Sequence, residues 1–176
     1  IKTFDNSIET NVENSVGISK KEWNSREISW GFQQNELIRH RTQDLEETYD
    51  LYEQYWKNNF HQLHRNEEEL NRQFIEIYGL QEELTPDVPL EDITILKEET
   101  SIENGELVFN AKEVFAQFLS YSVGCMFGRY SLDKEGLTLA NQGETLSDFT
   151  SKVEKTIEDL SFVPDDDAII PLLDDE

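Results

Sequence analysis

Cysteine, basic side chains, proline and long apolar runs are all scarce in this sequence, and each scarcity removes a class of explanation. Cys125 is the one cysteine in 176 residues, so neither a disulfide framework nor a cysteine zinc site is open, which fits a reducing compartment. Lys and Arg number 15 against 38 Asp and Glu, a net charge of −23. Such a chain is repelled by phosphate backbones and by anionic membranes, so direct nucleic-acid binding is not expected of it. The start, "IKTFDNSIET", has no basic region leading into an apolar run and is not a signal peptide. No stretch is apolar enough for a membrane span: the most apolar, near residues 110–130, carries Lys112, Glu113 and Gln117. The missing initiator Met and the acidic ending "PLLDDE" are those expected of a fragment of a longer, cytoplasmic polypeptide.

What is present is a helical pattern. Hydrophobic residues make up 36% and aromatics 11%, enough for a core if the rings converge. Between Thr42 and Gly79, apolar residues fall at Leu45, Tyr49, Tyr52, Trp56, Phe60, Leu63, Leu70, Phe74 and Ile77. Steps of three and four with no internal Pro or Gly predict one long helix, stopped by Gly79 at its C-terminal cap. It would be about 50 Å long and must pair with other helices or bridge domains. Residues 1–17 read as a loop or short edge strand, and Ser19 as the cap of a single helical turn. Trp23 and Trp30 are expected to dock on a neighbouring surface, and would stand exposed if that neighbour lies outside the chain. Pro86 and Pro89 mark a stiff linker. "ITILK" and "ELVF" flank a segment containing Asn104-Gly105, which suggests a β-hairpin, with an ordered loop as the alternative. A second helix of about 18 residues follows within "NAKEVFAQFLSYSVGCMFGRYS", residues 110–131, with an Asn110/Glu113 capping box and Val114, Phe115, Phe118, Leu119, Val123, Met126 and Phe127 as its apolar face. A weaker third helix carries Phe149, Val153, Ile157 and Leu160, with Ser147 as its cap.

The fold class is therefore mainly α: a long helix, a second apolar helix, a weaker third and a possible short β-hairpin. Five segments are expected: a docking region over 1–41, the long helix over 42–79, the linker and hairpin over 80–109, a helical subdomain over 110–160, and an acidic tail over 161–176.

The sequence offers little chemistry. His61, His64 and Glu68 share one helical face and are candidate metal ligands, although such spacing is common on solvated helices. Gly124 and Gly128 lie four apart beside Arg129. Phosphate-binding glycines sit at a helix N-terminus after a strand, whereas these end a helix, so close packing is the expected role. Arg129 is expected to bond helix-end carbonyls or a carboxylate. Cys125 lies within an apolar helix and reads as a core residue. "PDDDAIIPLLDDE" lacks the central glycine and alternating ligands of a calcium loop. No nucleophile elbow, Walker loop or dinucleotide fingerprint occurs, so no catalytic or cofactor-binding residue is assigned. Trp23, Trp30, Trp56, Gly79, Gly124, Gly128 and Arg129 are the expected structural positions.

Three stretches carry a resemblance: "SWGF" with the long-helix segment through "NEEELNRQFIEIYGLQEELTPDV", then "LSYSVGCMFGRYSLDKEGL", then "FVPDDDAIIPLLDDE". Together they resemble the large adenine-specific DNA methyltransferases of BREX phage defence, the PglX family, and related restriction–modification methylases. In that family an Asn-Pro-Pro-Tyr/Phe motif engages a flipped adenine beside bound AdoMet. The four prolines here are Pro86, Pro89, Pro164 and Pro171, and none follows Asn or another Pro. The resemblance therefore implies a non-catalytic connector of such an enzyme, without cofactor of its own. Its partners would be the rest of the parent chain and, through the parent, DNA. The alternative is an autonomous acidic interaction protein, such as a DNA mimic.

Overall fold

The computed structural model describes residues 6–165. The fold is mainly α: α1 (Asn6–Asn24), α2 (Glu36–Arg39), α3 (Leu45–Tyr78), α4 (Ala111–Met126) and α5 (Leu146–Val153), with a two-stranded sheet of β1 (Thr100–Glu103) and β2 (Glu106–Phe109). The chain forms two compact units. One comprises residues 6–24 and 40–113, the other 25–39 and 114–165.

In the first unit α3 has clear chemical limits. Asp44 accepts a hydrogen bond from the Glu47 amide at 3.0 Å, satisfying a donor that the helix start leaves open. At the other end Gly79 takes φ +71°. The Gly79 and Leu80 amides bond to the Glu76 and Ile75 carbonyls at 3.3 and 2.9 Å, the two bonds of a Schellman stop. Tyr52, Trp56, Phe60 and Leu63 are buried along α3, while Leu45, Phe74 and Ile77 are exposed. Only the middle of the periodic stripe is therefore core.

The N-terminal segment differs from expectation: residues 6–24 form α1, with no strand and no separate cap at Ser19. Its inward stripe is Ile8, Asn11, Ser15, Ile18 and Glu22. Three of those five are polar, so the helical period is invisible to a hydrophobicity reading. Ser7 donates to Gln73 of α3 at 3.4 Å, and Glu22 accepts the Leu96 amide at 3.3 Å.

The β-hairpin forms, but with a different first strand. Asn104 and Gly105 both adopt positive φ, 53° and 79°, and Glu103 pairs with Glu106 across them. A two-residue turn of that hand requires the strand to end at Glu103, so "ITILK" cannot pair. Ile93, Ile95 and Leu96 are instead buried outside either strand. Beneath them, Tyr52 donates to the buried Glu99 carboxylate at 2.8 Å.

In the second unit α4 buries Val114, Tyr121 and Cys125, with Phe118 half-buried between them. These positions step by four, three and four along one face. Leu119, Val123, Met126 and Phe127, expected in the apolar face, are exposed. Apolar side chains lie on more than one side of α4, so its composition could not choose the inward side, and the face with Tyr121 and Cys125 took it. Helix α5 is shorter than expected. Thr145, not Ser147, caps it through a reciprocal box with Asp148, and Glu154 ends it at φ +60°. Residues 166–176, most of the expected acidic tail with Pro171, lie outside the described residues.

Candidate functional site

In the second unit, Ser25–Arg39 supplies Phe32, and α4 with the turn after it supplies Tyr121, Cys125 and Tyr130 to one buried cluster, with Ile38 packed against it. Tyr121 and Tyr130 stack at 5.1 Å between ring centroids. Phe32 meets both rings edge-on, at 6.0 and 5.3 Å. Such geometry contributes about 0.5–1.5 kcal/mol per pair beyond area burial.

The two glycines make this cluster possible. A Cβ on Gly124 would lie 2.6 Å from Cδ2 of Tyr130, so the ring packs directly on helix backbone. Gly128 sits at φ +72°, and a Cβ there would come within 2.9 Å of Leu139 Cδ1. Its carbonyl accepts the Leu139 amide at 3.0 Å, and its amide bonds to Cys125 O at 3.0 Å. The Arg129 amide turns back to Gly124 O at 2.8 Å, and its guanidinium carbon lies 5.6 Å from the Tyr130 centroid. The chain thus reverses sharply after α4, and a second strap closes where the Gly136 amide bonds to Gln33 O at 2.8 Å.

The reversal encloses an open cavity of about 450 Å³, lined by residues 27–33, Arg129, Tyr130 and residues 135–137. Trp30 stands fully exposed at its rim, with Ile28 77% and Leu137 54% exposed. Glu27 accepts a hydrogen bond from Ser120. Burial raises the Tyr130 phenol above its usual range, and the Glu27 carboxylate beside it adds to that. Burial also raises Tyr121, with Cys125 next in importance, and raises the Cys125 thiol. All three groups are neutral at pH 7, so the cluster holds no thiolate nucleophile and no base poised near neutrality. Its chemistry is that of a binding surface: an indole, a guanidinium and carboxylates around an apolar floor.

The candidate metal ligands lie elsewhere, on α3 in the first unit. His64 Nε2 is 2.7 Å from Val88 O and 3.4 Å from Glu68 Oε1, and Glu68 accepts the Val88 amide at 3.4 Å. The pair clasps the proline linker against α3. His61 sits edge-on to Phe60. Burial first, then Lys57, Arg65 and His64, hold its pKa below the usual value. No group of three His, Cys, Asp or Glu among the described residues could hold a metal ion. Trp56 is core, 1% exposed, whereas Trp23 and Trp30 are both exposed. The sequence reading missed Tyr121 and Tyr130 as core and Glu27 as a site residue. The available signal was the step Val114, Phe118, Tyr121, Cys125, legible only if Tyr is counted as apolar.

No family model matches the chain. Over 170 residues, 94% of its length, it is 35% identical to the adenine-specific methyltransferase PglX of Lacticaseibacillus casei (strain Zhang). It is 33% identical over 177 aligned residues, 97% of its length, to the adenine-specific methyltransferase BrxX of Escherichia coli O9:H4 (strain HS). The chain matches one segment of adenine-specific methyltransferases. It spans 12% and 14% of the lengths of PglX and BrxX. Two stretches that carry the resemblance to these methyltransferases, "SWGF" and "SYSVGCMFGRYSLDKEGL", meet at the cavity: Ser29–Phe32 line it from one stretch, and Arg129, Tyr130 and residues 135–137 from the other. No helix of the described residues is long and apolar enough to cross a membrane.

Proposed function

We propose that this chain is a non-catalytic helical connector of an adenine-specific DNA methyltransferase of a phage-defence system of the BREX type. The observation that carries the reading is the pairing of near-complete coverage of this chain with 12–14% coverage of its methyltransferase relatives. The sequence supports it by lacking an Asn-Pro-Pro motif. The catalytic residues and the AdoMet site then belong to other parts of the polypeptide, which acts in the cytoplasm. This segment keeps the catalytic and DNA-reading parts in register, α3 giving reach. The exposed rim of Trp30, Ile28 and Leu137 is where an adjoining part of the same polypeptide packs, and DNA is reached only through that polypeptide.

Two measurements test this. Calorimetry of the isolated chain with AdoMet should show no binding heat, and measurable affinity would overturn the non-catalytic assignment. In the full-length methyltransferase, Trp30→Ala should lower DNA adenine methylation while leaving the melting of the isolated chain unchanged. Unaltered methylation would remove the connector role of the rim.

A further inference from the structure

The acidity of this chain is unevenly placed. Between Arg72 and Lys97 there is no Lys, Arg or His, while Glu76, Glu82, Glu83, Asp87, Glu91 and Asp92 all occur, and all six are exposed. Within this stretch α3 ends in apolar side chains that remain partly or largely exposed: Phe74, Ile77, Tyr78 and, past the turn, Leu84 are 36%, 38%, 70% and 54% exposed. The Phe74 and Tyr78 rings stack at 6.4 Å.

The backbone carrying these groups is held in place. The Schellman stop at Gly79 leads straight into a turn in which the Glu83 and Leu84 amides both bond to Leu80 O at 3.0 Å. The linker beyond is tied back to α3 by Asn71 to Pro86 O at 3.3 Å and by His64 at Val88 O, 2.7 Å. The backbone that carries these apolar groups and carboxylates therefore loses little conformational freedom on binding.

We propose that this end of α3 is a docking surface for a basic amphipathic protein segment, one whose apolar side chains cover Tyr78 and Leu84 while its Lys or Arg side chains meet Glu82 and Glu83. Charge complementarity selects that occupant. A second copy of the chain would bring the same carboxylates face to face, and a nucleic acid would bring phosphates against them. An uncharged apolar partner would leave the carboxylate rim without counter-charges. The inference does not depend on the methyltransferase reading.

The test uses the chain as it stands with two synthetic amphipathic helices of equal apolar content, one bearing lysines on its polar face and the other glutamates. Fluorescence anisotropy should show binding of the lysine helix, weakening with added salt, and none of the glutamate twin. Tyr78→Ser with Leu84→Ser should weaken binding roughly tenfold or more. Both side chains are largely exposed, so folding should be retained, as circular dichroism would verify. Glu82→Gln with Glu83→Gln should weaken binding, whereas Glu46→Gln with Glu47→Gln, the same change in charge at the far end of α3, should not. Equal losses from the two charge pairs would mean general attraction to an acidic protein and would overturn the proposal. So would unchanged binding by the serine variant, equal affinity for the glutamate twin, or concentration-dependent self-association that the serine substitutions abolish.

Discussion

Replacing Gly124 by Ala sets two effects of known sign against each other. Alanine in place of glycine within a helix favours folding by about 1 kcal/mol through backbone entropy. The new methyl group, however, would lie 2.6 and 2.8 Å from two ring carbons of Tyr130. That ring is 2% exposed and is held by Tyr121 on one side and Phe32 on another, so it can move only by giving up those contacts. Overpacking of this kind costs about 1–3 kcal/mol. With the ring so confined the upper part of that range applies, and Gly124→Ala should destabilise by about 1–2 kcal/mol net. Gly17 provides the control: it lies within α1, and a Cβ there meets nothing within 4 Å. Gly17→Ala should therefore stabilise by up to about 1 kcal/mol. Urea denaturation followed by circular dichroism reads both variants. A rise in midpoint for Gly124→Ala matching that of Gly17→Ala would refute the packing argument. A smaller loss for Gly124→Ala when Tyr130→Leu is also present would locate the cost at the ring.

Other expectations rest on separate contacts. Tyr52→Phe removes the phenol donor from the buried Glu99 carboxylate and should cost about 1–3 kcal/mol in the same denaturation assay. Cys125 is buried with a raised thiol pKa, so alkylation at pH 7 should be slow in the folded chain and fast in denaturant. Glu144 accepts the Ala140 and Asn141 amides at 2.8 and 3.0 Å and pairs with Lys152. Its pKa is lowered from 4.5 to about 2, chiefly by Lys152 and then by Asn141. The folded form is favoured by the ionised carboxylate, so this contribution is complete above the unfolded value of 4.5 and is lost as pH falls through about 2. Acid unfolding of Glu144→Gln should accordingly show a shallower dependence across that window, and an unchanged acid limb would refute the assignment. Thr145→Ala breaks the cap of α5 and should cost about 1 kcal/mol.

Legibility followed the physics of each element. The long helix could be read because Tyr52, Trp56, Phe60 and Leu63 repeat at the helical period and because Gly79 is the residue best able to take positive φ at its end. The Asn104-Gly105 turn was readable for the same local reason. The first helix was not, since its inward stripe has Asn11 and Ser15 between its two isoleucines and Glu22 beyond them, and polar inward residues erase the signal. The inward face of α4 was misread because apolar side chains lie on more than one of its sides. The choice of Tyr121 and Cys125 depends on the rings of Phe32 and Tyr130, which come from elsewhere in the chain. Glu27 entered the candidate site by the same long-range route.

The sequence by itself determined the helical class, the stops at Gly79 and Gly105, the acidity and the likeness to adenine-specific methyltransferases, because these follow from local backbone preference, composition and residue order. Only the tertiary structure decided that Gly124 and Gly128 serve the Tyr130 ring and the Leu139 strap, that His64 and Glu68 clasp the Val88 linker, and that Trp30 faces outward. Each of those outcomes depends on which surfaces meet, and the chain brings those surfaces together from residues as far apart as Phe32 and Tyr130.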